Sequence, residues 1–289
     1  MSIRRVLIGC LITLGVVSVL AFDAWQDVPL GSFALAFLCV GPALAEALVV
    51  LSKGGSEIRF RPALALGVAM LLARGALELF GIGEPGLMRG AFVFALPVLL
   101  LLAAVPLGWR RFGPSLLAVL WVAGSLVFLL ELRLLTEPQT HVTGLADIRI
   151  PLGMALLVVV AAAVKGGDTA AYVVGRTIGR IPMAPKISPR KTWEGAVGGF
   201  LVGTTLVPLL GLPLGLFGVY SCLELMLLGA AANVAGQFGD LLESWAKRRA
   251  DVKDSGLYLG ELGGAFDILD ALLLASPVAY FVARFLGTG

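Results

Sequence analysis

Apolar runs of 14 to 22 residues recur along this 289-residue chain and constrain its fold more than any other feature. A helix needs about 20 apolar residues to cross a bilayer. Lipid offers no partners to backbone N–H and C=O groups, and these runs lack the alternation of strands, so the segments are read as helices. Nine spans follow: Val6–Phe22, Leu30–Leu51, Ala63–Phe80, Ala91–Leu107, Pro114–Leu132, Pro151–Val164 (continuing as helix through Tyr172), Gly195–Leu210, Leu214–Ala235 and Phe266–Phe285. The mean hydropathy of +0.96 agrees with an all-α polytopic membrane protein. The first run follows Arg4 and Arg5 without a convincing small-residue cleavage site, and is read as a retained span.

Charge orients the spans. With the N-terminus in the cytoplasm, 17 Lys and Arg fall on the inner side and 4 on the outer, counting Arg284 at the outer end of the last span, and Arg74 lies within the third span. This split predicts an N-in, C-out topology. Cys10, Cys39 and Cys222 lie in apolar runs without metal-ligand spacing, and the single His141 sits in an outer loop, which excludes a histidine-based metal site. Residues 1–135 read as scaffold, with Arg74 and Glu78 spaced to pair on one helix face. Residues 136–289 read as the catalytic region of the same membrane unit.

That second region gathers the polar groups. In "KGGDTAAYVVGRTIGR", Asp168, Tyr172 and Arg176 share a helix face. Ser188–Pro189 signals a turn, and Gly195, Gly199 and Gly203 stand at four-residue steps that permit close helix contact. In "GQFGDLLESWAKRRADVKDSG", Asp240, Glu243, Ser244 and Lys247 form one stripe, while Asp267 and Asp270 open the last span. Carboxylates at membrane depth need a partner. Asp240 and Asp267 either share a hard cation, for which oxygen-only ligands suit Mg²⁺, or form salt bridges with nearby Lys and Arg. Cationic loops, glycine-rich turns and boundary carboxylates together suggest phosphoryl or nucleotidyl transfer near a lipid headgroup. The G-x-x-x-x-G-K-[ST] loop of P-loop ATPases is absent.

"GGDTAAYVVGR", "APKISPRKTWEGAVGG" and "GDLLESWAKRRADVKDSG", in that order, resemble the phosphatidate cytidylyltransferases, or CDP-diacylglycerol synthases. The resemblance runs from about Val164 to Pro277; earlier residues agree only in hydropathy and span number. It implies that CTP and phosphatidate give CDP-diacylglycerol and pyrophosphate. It further implies Mg²⁺, alone or with a second cation, a bacterial inner-membrane location and a homodimer. Asp240 and Asp267 match acidic residues of the family's metal centre. Asp168, Lys186, Ser188, Lys191, Glu194, Glu243, Lys247, Lys253 and Asp254 match motif positions around the polar pocket, with Arg190 and Asp270 beside them. A phosphatidate monoester, with a second pKa near 6, is already a nucleophile. Lys191 and Lys247 would therefore work with the metal carboxylates in neutralising charge rather than in removing a proton.

One motif departs from the family. Where the family reads Pro-Gly-His-Gly-Gly and then Asp-Arg-x-Asp, this chain reads "GELGG" and "DILD". Leu262 and Ile268 stand for the usual His and Arg, Gly260 for the Pro, and Glu261 for a Gly; Gly263, Gly264, Asp267 and Asp270 remain. Two alternatives stay open. A diverged paralogue would act on another lipid phosphate, or bind nucleotide or lipid without turnover. A transporter of anionic substrates would show a polar route through the bilayer, whereas the polar groups here gather on one side. The D-G-x-x-A-R pattern of CDP-alcohol phosphatidyltransferases is missing.

Overall fold

The computed structural model describes residues 3–26, 29–80, 112–136, 140–252, 256 and 264–287. Its helices are α1 (Ile3–Gln26), α2 (Leu30–Lys53), α3 (Phe60–Leu79), α4 (Phe112–Arg133), α5 (Leu152–Ile178), α6 (Trp193–Gly211), α7 (Cys222–Arg249) and α8 (Ala265–Gly287). Two small antiparallel hairpins complete it, β1 (His141–Thr143) with β2 (Arg149–Pro151), and β3 (Pro182–Ala184) with β4 (Ser188–Thr192). Among the described residues, α2 to α8 are seven helices long and apolar enough to cross a membrane. The chain is an integral membrane protein of all-α class. The expected span Ala91–Leu107 lies outside the described residues, so the count of nine is not reached on what is described.

The chain divides into two compact units, one of residues 1–130 and 246–269, the other of residues 131–245 and 270–289. In the first, Asp23 near the end of α1 accepts from the backbone N–H of Gly31 and Ser32 at 2.7 and 2.6 Å, and from the Ser32 hydroxyl at 2.6 Å. The carboxylate thus satisfies otherwise orphaned donors at the start of α2. Arg74 and Glu78 form the expected pair at 3.0 Å. Glu46, fully buried in α2, accepts from the backbone N–H of Phe266 in the first turn of α8 at 2.9 Å. Trp121 of α4 packs edge-on against the Phe266 ring, 5.1 Å between centroids.

In the second unit α5 and α6 pack along a seam of small residues. A methyl placed on Gly199 would lie 2.7 Å from the Gly167 carbonyl oxygen, and one on Gly195 equally close to that of Ala171. The four-residue glycine spacing therefore does what it predicts, letting backbones meet. Thr192 caps α6 by accepting from the Gly195 N–H at 3.2 Å. The hairpin ahead of it turns at 185–187, one step before the expected Ser188–Pro189; Ser188 is already in β4, opposite Ala184.

The span expected at Leu214–Ala235 is displaced. Leu216–Gly218 is a short 3₁₀ turn, and Gly215 holds φ +79°, a left-handed conformation that favours glycine. The helix begins at Cys222 and runs on to Arg249. Its start is a capping box: Ser221 N–H donates to Glu224 at 2.7 Å, and Glu224 N–H to the Ser221 hydroxyl at 3.3 Å. Burial, then Glu224, push the neighbouring Tyr220 phenol up to about 12. It stays protonated and donates to the Ala283 carbonyl of α8 at 3.2 Å.

Candidate functional site

A cavity of about 850 Å³ opens in the second unit. Asp168, Tyr172 and Arg176, the predicted face of α5, form one wall, and Arg176 donates to the Tyr172 hydroxyl at 2.8 Å. Arg190 and Lys191 of β4 form another, with Gln237 and Asp240 from α7. The floor is made of small residues from the α5–α6 seam, including Ala171, Gly175, Gly195 and Ala196. The seam thus lets two helices converge while leaving room for a ligand above them.

Charge alternates around this space. Lys191 pairs with Asp240 at 2.5 Å, and Lys165 approaches Asp270 at 3.8 Å. Asp240, Glu243 and Asp270 each offer a carboxylate oxygen within 4.8 Å of the others. Asp240 and Glu243 are three residues apart on α7, so one helix face supplies both. Asp270 comes from α8, and Glu243 is buried. Three carboxylates this close repel one another, and Lys191, Lys165 and a bound cation can each offset that charge. The set is oxygen-only and partly shielded from water, which fits a hard divalent ion.

The other sequence candidates have distinct surroundings. Asp267 accepts from Lys247 at 3.2 Å and from the Gly264 N–H at 2.9 Å, closing the start of α8. Glu194 accepts from the Ile181 N–H at 3.2 Å, tying the approach to the hairpin to the first turn of α6. Lys186 is exposed at the hairpin turn, and Ser188 pairs across it. Lys253, Asp254 and Leu262 lie outside the described residues. Ile268, where the family has Arg, sits in the first turns of α8 with its N–H donating to Gly264 O at 3.2 Å.

The site residues that escaped sequence reasoning include Gln237, Arg180 and Lys165. Gln237 lies one turn before Asp240 on α7, a spacing that could have flagged it. Lys165 lies three residues before Asp168, but is concealed at the end of an apolar run. The helix also continues past Tyr172 to Ile178, so Arg176 lies on it together with Asp168 and Tyr172, the helix face expected.

Comparison with known proteins agrees with this architecture. The profile of the "Cytidylyltransferase family" matches residues 3–286. Phosphatidate cytidylyltransferase of Brucella suis is 41% identical over 133 residues, covering 45% of this chain and 47% of that protein. That of Bacillus subtilis is 41% identical over 115 residues, covering 40% and 42%. Both alignments thus span slightly under half of the relative's length. The protein of the same name from Chlamydia pneumoniae is 32% identical over 262 residues, covering 87% of this chain and 83% of its own. With the match extending over nearly all of its length, the chain belongs to the cytidylyltransferase family.

Proposed function

We propose that this protein is a phosphatidate cytidylyltransferase, joining CTP and phosphatidate into CDP-diacylglycerol with release of pyrophosphate. The observation that carries the reading is the cavity itself, where Arg176, Arg190 and Lys191 face the carboxylates of Asp168 and Asp240. The names of the relatives support the choice of substrates.

In this reaction a phosphate oxygen of phosphatidate attacks the α-phosphorus of CTP, and the bond to the pyrophosphate oxygen breaks. The nucleophile is already anionic, so no base is needed. What must be supplied is alignment and neutralisation of developing charge. Asp240 holds the Lys191 ammonium at the cavity wall, and Arg176 and Arg190 offer guanidinium groups suited to phosphate oxygens. Asp240, Glu243 and Asp270 would hold Mg²⁺, which when bound neutralises phosphate charge as a Lewis acid. Lys247 and Asp267 hold each other and the start of α8. The site faces the cytoplasm in this reading, where CTP is supplied, and the host membrane is a bacterial inner membrane.

The test is turnover of labelled CTP by the purified protein with phosphatidate and Mg²⁺. CDP-diacylglycerol and pyrophosphate should appear in equal amounts, dependent on both substrates. Turnover with a different lipid phosphate only would move the assignment to a paralogous acceptor. No turnover with any lipid phosphate and any divalent ion would defeat the enzyme reading.

A further inference from the structure

We infer that Gln237 reads the amino group of the nucleotide's base, selecting cytidine over uridine nucleotides; this rests on the cavity being a CTP site. Gln237 lines the cavity and is half-buried. A side-chain amide can present either an acceptor or a donor, and here the choice is fixed by a chain of hydrogen bonds starting at the backbone.

The Ala163 carbonyl of α5 can only accept, so Asn233 turns its NH₂ to it at 3.1 Å. The Asn233 oxygen then faces Gln237 and can only accept from it, at 2.8 Å. The Gln237 NH₂ also donates to the Ala196 carbonyl in the first turn of α6, at 3.1 Å. Both amide protons of Gln237 are thereby engaged. Its Oε1 is the polar atom left to offer the cavity, and it can only accept. Flipping the amide would set oxygen against two oxygens. Flipping Asn233 would do the same at Ala163, and Asn233 is buried (1% exposed) where a methyl on Gly167 or Gly203 would strike its amide.

A fixed neutral acceptor repels phosphate oxygens and needs a donor. Phosphatidate carries both glycerol hydroxyls as esters, so the donors in the two substrates are the cytosine 4-amino group and the ribose hydroxyls. A ribose hydroxyl rotates and can donate or accept, so it gains nothing from a locked amide. The base edge has fixed polarity: cytosine presents N–H at position 4, and uracil presents a carbonyl. The small floor residues Ala171, Gly175 and Ala196 leave space beside Gln237 for a planar ring. A mismatched acceptor pair in such a site costs about tenfold or more in rate.

The experiment compares kcat/KM for CTP, dCTP, UTP and the ribonucleoside triphosphate of pyrimidin-2-one, which carries hydrogen in place of the 4-amino group, in the parent protein and in Gln237→Met. In the parent, CTP and dCTP should be preferred over the other two by about tenfold or more. In Gln237→Met, that preference should fall to near one for the pyrimidin-2-one analogue. Each ratio is internal to one protein, so a general loss of active enzyme cancels. If Gln237→Met does not fold, as judged by size-exclusion chromatography in detergent, the smaller Gln237→Ala also removes the acceptor and should show the same loss of preference. An unchanged ratio in Gln237→Met or in Gln237→Ala, or a parent that uses the analogue as well as CTP, would each overturn the inference. Absence of CTP turnover in the parent would instead defeat the reading of the site.

Discussion

Asp267 and Asp270 stand three residues apart on α8, yet their carboxylates have different neighbours. Asp270 belongs with Asp240 and Glu243, whereas Asp267 is held by Lys247 and the Gly264 N–H. The sequence shows both as acids opening a span and cannot say which one a cation would prefer, because that depends on which side chains α7 brings alongside. Asp240→Asn and Asp270→Asn should each lower turnover by about 100-fold or more at saturating Mg²⁺. Asp267→Asn should retain measurable turnover and keep the Mg²⁺ dependence of the parent. Loss of Mg²⁺-dependent activity in Asp267→Asn, with Asp270→Asn active, would restore the pairing of Asp240 with Asp267 expected from motif position. Lys191 and Asp240 were each legible from their motifs; that they pair across 49 residues of sequence was not.

At the scale of elements, Glu46 shows how a buried charge finds a use within a helix bundle. Its carboxylate faces the N-terminal end of α8, where unsatisfied N–H groups and the helix dipole favour an anion. Glu46→Leu should leave the Phe266 N–H without this acceptor and destabilise by about 1–3 kcal/mol. Thermal unfolding in detergent should then shift down by several degrees, with turnover falling because α8 carries Asp267 and Asp270. Glu46→Gln keeps an acceptor and should restore most of the melting temperature; equal losses in both variants would show that the charge itself is required. Glu46 was visible in the sequence as an intramembrane acid, but nothing near it named a partner 220 residues away. The start of α7 is a contrasting case. Ser221 and Glu224 spell a capping box, a local signal that hydropathy overrode because Leu214–Tyr220 is as apolar as the helix after it. The hairpin β3–β4 was concealed for another reason: β3 has three residues, too few for alternation to register, and the five of β4, SPRKT, show no alternation of apolar and polar residues.

For the molecule as a whole, hydropathy was sufficient to identify a helical membrane protein, since lipid leaves the backbone so few solutions. The lysine and arginine split adds a direction that a set of helices does not itself possess. A single cysteine at Lys186, exposed on the hairpin turn, in a background without Cys10, Cys39 and Cys222, should resist impermeant thiol reagents in intact cells and react once the membrane is opened. Labelling from outside would invert the topology and separate the cavity from cytosolic CTP. The seam of α5 and α6 has a consequence for how such a protein can diversify. A cavity floor made of glycine, alanine and main-chain carbonyls offers evolution almost no side chains to exchange. Substitution there can only fill the space or force the helices apart. New substrate preferences must therefore arise at the rim, on the hairpin and along α7, while the floor passes from ancestor to descendant as an inherited shape.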